Sequence, residues 1–161
     1  MDNLTGTAAA EIRLLRFRLG EALFAIDLMR ISEVVASRAL SPSTAASPFT
    51  AGSLVLRNSV IPVIDLAGRF GVPRDAVGGA GELIVVRLPG TLLALAVDQV
   101  LELMAVKPEG ILPAGDGDGV GSDFALGICH AGADQVMILD IDLLHAATPL
   151  CRSGENGVNE R

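Results

Sequence analysis

Three aspartates at the ends of apolar runs, Asp65, Asp98 and Asp140, are the first residues of this chain that could do chemistry. Carboxylates serve as general acids, general bases or metal ligands, but each role needs a partner base or converging ligands. No such partner accompanies any of the three. Their plain role is to cap turns or short helices by accepting hydrogen bonds from backbone N–H groups. The stretch Asp116-Gly117-Asp118-Gly119 with Asp123 begins like a calcium loop. An EF-hand needs a ligand at the fifth position and Glu at the twelfth, where this chain has Val120 and Gly127. An acidic, Gly-rich loop is the expectation there.

His130 and His145 are the two histidines, and Cys129 adjoins the first. Neighbours in a strand point to opposite faces, so Cys129 and His130 make neither a shared metal site nor a dyad. No serine sits in a G-x-S-x-G pattern, and no phosphate-cradling glycine loop follows a strand. The residue types therefore predict no catalytic centre, no metal and no cofactor.

The elements that would position these residues are short. The chain has 161 residues, half of them apolar, with five Phe and neither Trp nor Tyr. Its core must be built from Val, Ile, Leu and Ala, and β-branched residues favour strands. Net charge is −7, with Lys and Arg scattered, which argues against nucleic-acid binding. Apolar runs such as Leu92 to Val97 are too short to span a bilayer, so direct membrane insertion is not expected. Cys129 and Cys151 make no disulfide framework, and Met1 to Ala10 carries no secretory signal pattern. The expectation is a cytoplasmic protein.

Residues 1–11 and 152–161 read as flexible termini around a folded domain over 12–151. Within it, short apolar runs alternate with Gly and Pro: Leu14 to Leu19, Ala22 to Ile26, Leu54 to Leu56, Val60 to Leu66, Leu83 to Leu88, Leu92 to Val97 and Val136 to Ile141. Turns at this density point to small barrels or a sandwich. Brief helical segments fit Leu28 to Val35, Leu66 to Phe70 and Ile141 to Ala147.

An internal repeat sharpens the reading. At an offset of 69 residues, 17–36 falls on 86–105 without a gap, matching Arg18 to Arg87, Leu23 to Leu92, Ala25 to Ala94 and Glu33 to Glu102. At an offset of 75, Gly52 falls on Gly127 and Asp65 on Asp140. Two successive, nearly equal offsets predict two similar β-barrels packed together, in halves of about 12–80 and 81–151 between which strands can cross. Residues kept in both copies, such as Glu33 with Glu102, suggest structural duties common to both. Arg57 instead falls on Gly132, so it is a candidate for a task that one barrel alone performs.

Three segments, in order, resemble the CheW family of chemotaxis coupling proteins. They are Phe17-Arg18-Leu19-Gly20 with Phe24-Ala25-Ile26-Asp27 and Ile31-Ser32-Glu33-Val34; then residues 52–66, containing Leu56-Arg57-Asn58 and Val60-Ile61-Pro62-Val63-Ile64-Asp65-Leu66; then Leu95-Ala96-Val97-Asp98 with Leu139-Asp140-Ile141. The family usually has Gly at the position of Asn58, and Asn tolerates the left-handed backbone region that a turn needs there. The resemblance covers roughly residues 14–147.

It implies an all-β fold of two SH3-like five-stranded β-barrels with a few short helices. It also implies a non-catalytic adaptor that joins the cytoplasmic tip of chemoreceptors to the regulatory domain of the histidine kinase CheA. On this resemblance Glu33 and Arg57, with Ile31 nearby, are the receptor-binding candidates, and the kinase face is expected on the second barrel with no residue assigned. The protein would then reach membrane-bound receptor arrays through its partners. The alternatives are an adaptor of the same family for another output (pilus motility or development), a small-molecule-binding β-barrel, and a fragment of the kinase.

Overall fold

A computed structural model describes residues 10–36, 40, 49–72, 81–115, 119 and 121–148. The acidic stretch at 116–118, the termini and Cys151 lie outside the described residues. Among the described residues, ten strands and two short helices follow one another. They are β1 (Ile12–Leu19), β2 (Ala22–Asp27), β3 (Ile31–Ala36), β4 (Thr50–Leu56), β5 (Ser59–Asp65), α1 (Leu66–Phe70), β6 (Glu82–Leu88), β7 (Thr91–Val97), β8 (Gln99–Val106), β9 (Ala125–Ala131), β10 (Asp134–Leu139) and α2 (Ile141–Ala146). The repeat is visible element by element. Adding 69 carries β1–β3 onto β6–β8, and adding 75 carries β4, β5 and α1 onto β9, β10 and α2.

The strands form two five-stranded sheets, ordered β9-β10-β2-β1-β8 and β3-β6-β7-β5-β4. Each is an SH3-like barrel, here called barrel I and barrel II. A division near residue 80 does not coincide with them. Barrel I takes the hairpin β1–β2 from the first half of the repeat and β8, β9 and β10 from the second. Barrel II takes β6–β7 from the second half and β3, β4 and β5 from the first. The halves have exchanged hairpins within one chain.

The links explain the exchange. Pairing strands β1–β2, β6–β7 and β9–β10 are joined by turns holding Gly20, Gly90 and Gly132 at φ of 58°, 76° and 63°. Such left-handed residues match the twist of a tight hairpin. The β2-to-β3 link is instead a 3₁₀ turn, Leu28–Arg30, and the β7-to-β8 link is the single residue Asp98; neither contains a positive φ. The chain cannot fold back there, so it runs on into the other barrel. The helix expected over Leu28 to Val35 is thus only a 3₁₀ turn followed by a strand. Ile31, Val34 and Val35 are β-branched and pair with β6.

Burial follows strand alternation. In β2, Leu23 and Ala25 face the core of barrel I while Phe24 and Ile26 face the seam between the barrels. In β6, Leu83 and Val85 face the core of barrel II while Ile84, Val86 and Leu88 face the seam. β7 and β10 alternate in the same way. Strands buried on both faces read in the sequence as unbroken apolar runs. The seam is the largest of the three cores.

The aspartates are caps. Asp65 accepts a hydrogen bond from the Gly68 N–H at the start of α1, and Asp140 accepts one from the Leu143 N–H at the start of α2. Asp98 accepts from the Gly20 N–H at 2.6 Å, tying the β1–β2 turn to the β7–β8 link. Gly127 is required by close approach: a Cβ there would sit 2.6 Å from Ile111 Cγ2 and 2.7 Å from the Leu112 carbonyl oxygen. That strap exchanges two backbone hydrogen bonds with Ile128 and covers part of the β9 edge. Cys129 is buried in barrel I and His130 points outward, as neighbours in a strand must.

Two outcomes are expected. Asp65→Ala and Asp140→Ala should each lower unfolding free energy by about 1 kcal/mol, the usual cost of a lost N-cap, in denaturant titrations. Cleavage of the chain between residues 72 and 81 should leave two fragments that co-elute on gel filtration and separate only in denaturant, because both barrels contain strands from both fragments.

Candidate functional site

β4 and β5 form a hairpin whose tip is Leu56-Arg57-Asn58-Ser59. Both central residues have positive φ, 49° at Arg57 and 68° at Asn58. This is the backbone of a two-residue hairpin turn that Gly and Asn favour. Asn58 adopts it at small cost. Arg57 does not belong to that class, and a left-handed backbone at such a residue persists only where the surroundings hold it. The repeat-related turn on barrel I has Gly132 at the same place, with φ of 63°. One copy of the turn therefore carries the preferred glycine, and the other carries a strained arginine.

What holds Arg57 is Glu33. Arg57 Nη1 lies 2.7 Å from Glu33 Oε1, with the arginine side chain 73% exposed and the glutamate 26%. That hydrogen bond first, and the charge of Glu33 second, raise the pKa of Arg57. The pair spans β3 and the β4–β5 tip, the two edges of the second sheet. The same edge strands also expose apolar side chains. Val55 and Val60 are directly opposed across the hairpin and exposed, as is Val34 next to Glu33. An ion pair held across the two edges of the sheet, on strands that also expose valines, offers directed hydrogen bonding beside apolar surface.

Ile31 does not belong to this patch. Its side chain is buried in the seam with Leu28 packed nearby, so it shapes the base of β3 from inside. Period-2 alternation after Glu33 would place Ile31 on the same face, but the register of β3 against β6 shifts between Ile31 and Glu33. The bulge turns the two side chains apart.

Glu102, the repeat mate of Glu33, makes a different pair. Its carboxylate lies 3.3 Å from Arg16 Nη2 on barrel I. The shared strand position does not give a shared partner, because Val85 replaces Arg16 and Gly132 replaces Arg57 in the opposite copies.

The sequence reading missed the exposed Val34, Val55 and Val60. Alternation within β4 and β5 could have marked Val55 and Val60 as outward-facing opposite the buried Leu54 and Ile61. It also missed exposed Leu103, Leu112 and Leu126 on barrel I. Among the described residues, no three His, Cys, Asp or Glu side chains gather in a metal-binding group. A depression of about 290 Å³ at the rim of barrel I is lined by Glu21, Phe24, Asp134 and Met137 among others. Among the described residues of its lining, no base or metal-ligating set joins these acids.

A family model described as the CheW-like domain matches residues 13–148. The chemotaxis protein CheW of Treponema pallidum is 27% identical over 146 residues, covering 87% of this chain and 85% of that one. A probable chemotaxis protein CheW of Rhizobium etli is 30% identical over 142 residues, covering 84% and 88%. The crystal structure of the scaffolding protein TtCheW from Thermoanaerobacter tengcongensis superposes with a TM-score of 0.74 at 27% identity, over 81% of this chain and 84% of that one. With its duplicated barrels, exchanged hairpins and a family match over almost all of the folded residues, this chain belongs to the CheW-like domain family.

Proposed function

We propose that this protein is a chemotaxis adaptor that couples methyl-accepting chemoreceptors to the histidine kinase CheA, with the receptor tip docking on barrel II at Glu33 and Arg57. The observation that carries the site is the strained, exposed Arg57 held by Glu33 at the edge of barrel II. The barrel architecture alone does not require it, since barrel I closes the equivalent turn with Gly132. Family membership supports the adaptor role, and relatives at 27% and 30% identity bear the name of chemotaxis protein CheW.

An adaptor needs two faces that can be occupied together. Barrel II supplies the Glu33–Arg57 patch, and barrel I exposes Leu103, Leu112 and Leu126. We assign the kinase regulatory domain to barrel I on this ground. Modest affinities at each face add up in an array, because each bound contact raises the effective concentration of the next. The protein would be held at membrane-bound receptor clusters through these partners; no helix among the described residues is long and apolar enough to cross a membrane.

Calorimetric titration with the CheA regulatory domain of the same organism should give saturable one-to-one binding; no binding to any kinase homologue encoded there would remove the coupling function. Arg57→Glu should weaken binding of a receptor cytoplasmic fragment by about tenfold or more, the scale of a central interface arginine. Its Tm should stay near that of the parent. A variant that unfolds would make Arg57 a structural residue and remove it from the receptor face.

A further inference from the structure

Helix α2 follows β10 of barrel I, yet what holds it comes largely from barrel II. Ile141 and Leu144 are its two buried residues, and both point into the seam. A six-residue helix with two buried side chains gains little from burial against the ordering of its backbone. Two arginines complete the docking.

At the first turn, Arg30 Nη2 and Nη1 donate to Asp142 Oδ1 and Oδ2 at 2.7 and 3.1 Å. The same guanidinium donates through Nη2 and Nε to the Arg87 carbonyl on β6, at 2.8 and 3.2 Å. Arg30 sits in the link by which the chain passes from barrel I to barrel II. Beyond the last turn, Arg69 of α1 donates from Nε to Thr148 Oγ1 at 2.8 Å and from Nη2 to the Ala147 carbonyl at 3.1 Å. Thr148 is the buried polar side chain among the described residues.

Arg69 also lies over two rings, Phe49 at 4.8 Å and Phe124 at 4.6 Å. These phenylalanines are repeat mates 75 residues apart, and each accepts at its carbonyl from the capping aspartate's N–H, Asp65 and Asp140 respectively. One guanidinium therefore bridges equivalent points of the two barrels. The repeat does not demand it. Leu144 stands where a second Arg69 would be, Ala67 where a second Asp142 would be, and Gln99 where a second Arg30 would be.

We propose that Arg30 and Arg69 are positioning residues that latch α2 across the seam and so fix the orientation of one barrel against the other. The apolar seam resists separation of the barrels but is not directional. The latches supply the directed contacts. Resting on the adaptor reading above, a fixed orientation lets a change at one docking face reach the other. With the latch open, both partners stay bound but are no longer coupled.

The test uses the full chain with Asp142→Ala, which removes both acceptors of one latch, and Arg69→Met, which removes the other. Arg69→Lys serves if Arg69→Met does not fold. Amide exchange over residues 141–148 should speed up by about tenfold, the scale of a lost charge-assisted hydrogen bond, while the central strands β2 and β7 stay protected. The distance distribution between spin labels at Ala51 and Glu109, on the two barrels, should broaden. Receptor-stimulated kinase activity should fall on the order of fivefold or more, with affinity for each partner fragment unchanged.

Unchanged exchange in α2, or an unchanged distance distribution, would overturn the proposal. Loss of partner affinity in step with activity would overturn the positioning role. If the parent protein itself binds no kinase, the adaptor reading fails, while exchange and distances still decide the latch.

Discussion

Leu15, Phe17, Phe24 and Ile26 from one hairpin meet Ile84, Val86, Leu93 and Leu95 from the other across a seam with no water-facing side. Because side chains alternate along a strand, committing these residues to the seam commits their neighbours to a barrel interior. Leu14 and Ala25 then fill barrel I, and Val85 and Ala94 fill barrel II. A slip of one residue in either hairpin would exchange the two sets and present the wrong shapes to both cores at once. The seam thus sets the register of the central strands and ties the stability of each barrel to that of the other.

Hairpin exchange has a mechanical consequence. In two barrels merely tethered by a linker, relative motion is the default. Here every barrel owns strands from both halves, and the crossings are a 3₁₀ turn and a single residue. Arg87 donates to the Met29 and Ile31 carbonyls on either side of one crossing, and Arg18 reaches Gln99 beside the other. These two arginines are repeat mates, so both crossings are stapled by the same residue of the duplicated pattern. Crossings this short keep the two faces close together, and leave their exact orientation to the directed contacts of Arg30 and Arg69.

Duplication also makes the exceptions informative. Where both copies agree and make the same contact, as with the capping Asp65 and Asp140, the residue builds the barrel. Where only one copy has the charge, the barrel evidently closes without it. Arg57 against Gly132 marks the outer face of barrel II, and the Arg30, Asp142 and Arg69 set marks the joint between barrels. Exposed ion pairs contribute little to stability in general, so their placement speaks to orientation more than to folding.

Most of the strands, their turns, both helices and the capping aspartates are legible in the sequence, because each rests on neighbours along the chain. The repeat offset aligns β1–β3 with β6–β8, and Leu66 to Phe70 reads as a helix with its observed bounds. What the sequence could not show was which strand joins which barrel. A strand buried on both faces has no polar face to orient it, so its apolar run is silent about direction. Nothing local reveals that β3 finds its partner in β6, some fifty residues on, so the segment after Asp27 reads as helical in the sequence although it is half-exposed strand. Ile31 shares this history: sequence spacing sets it beside Glu33, and a bulge that only the pairing with β6 creates turns it inward. Chain-local chemistry determined the parts, and long-range pairing across the seam decided their assembly.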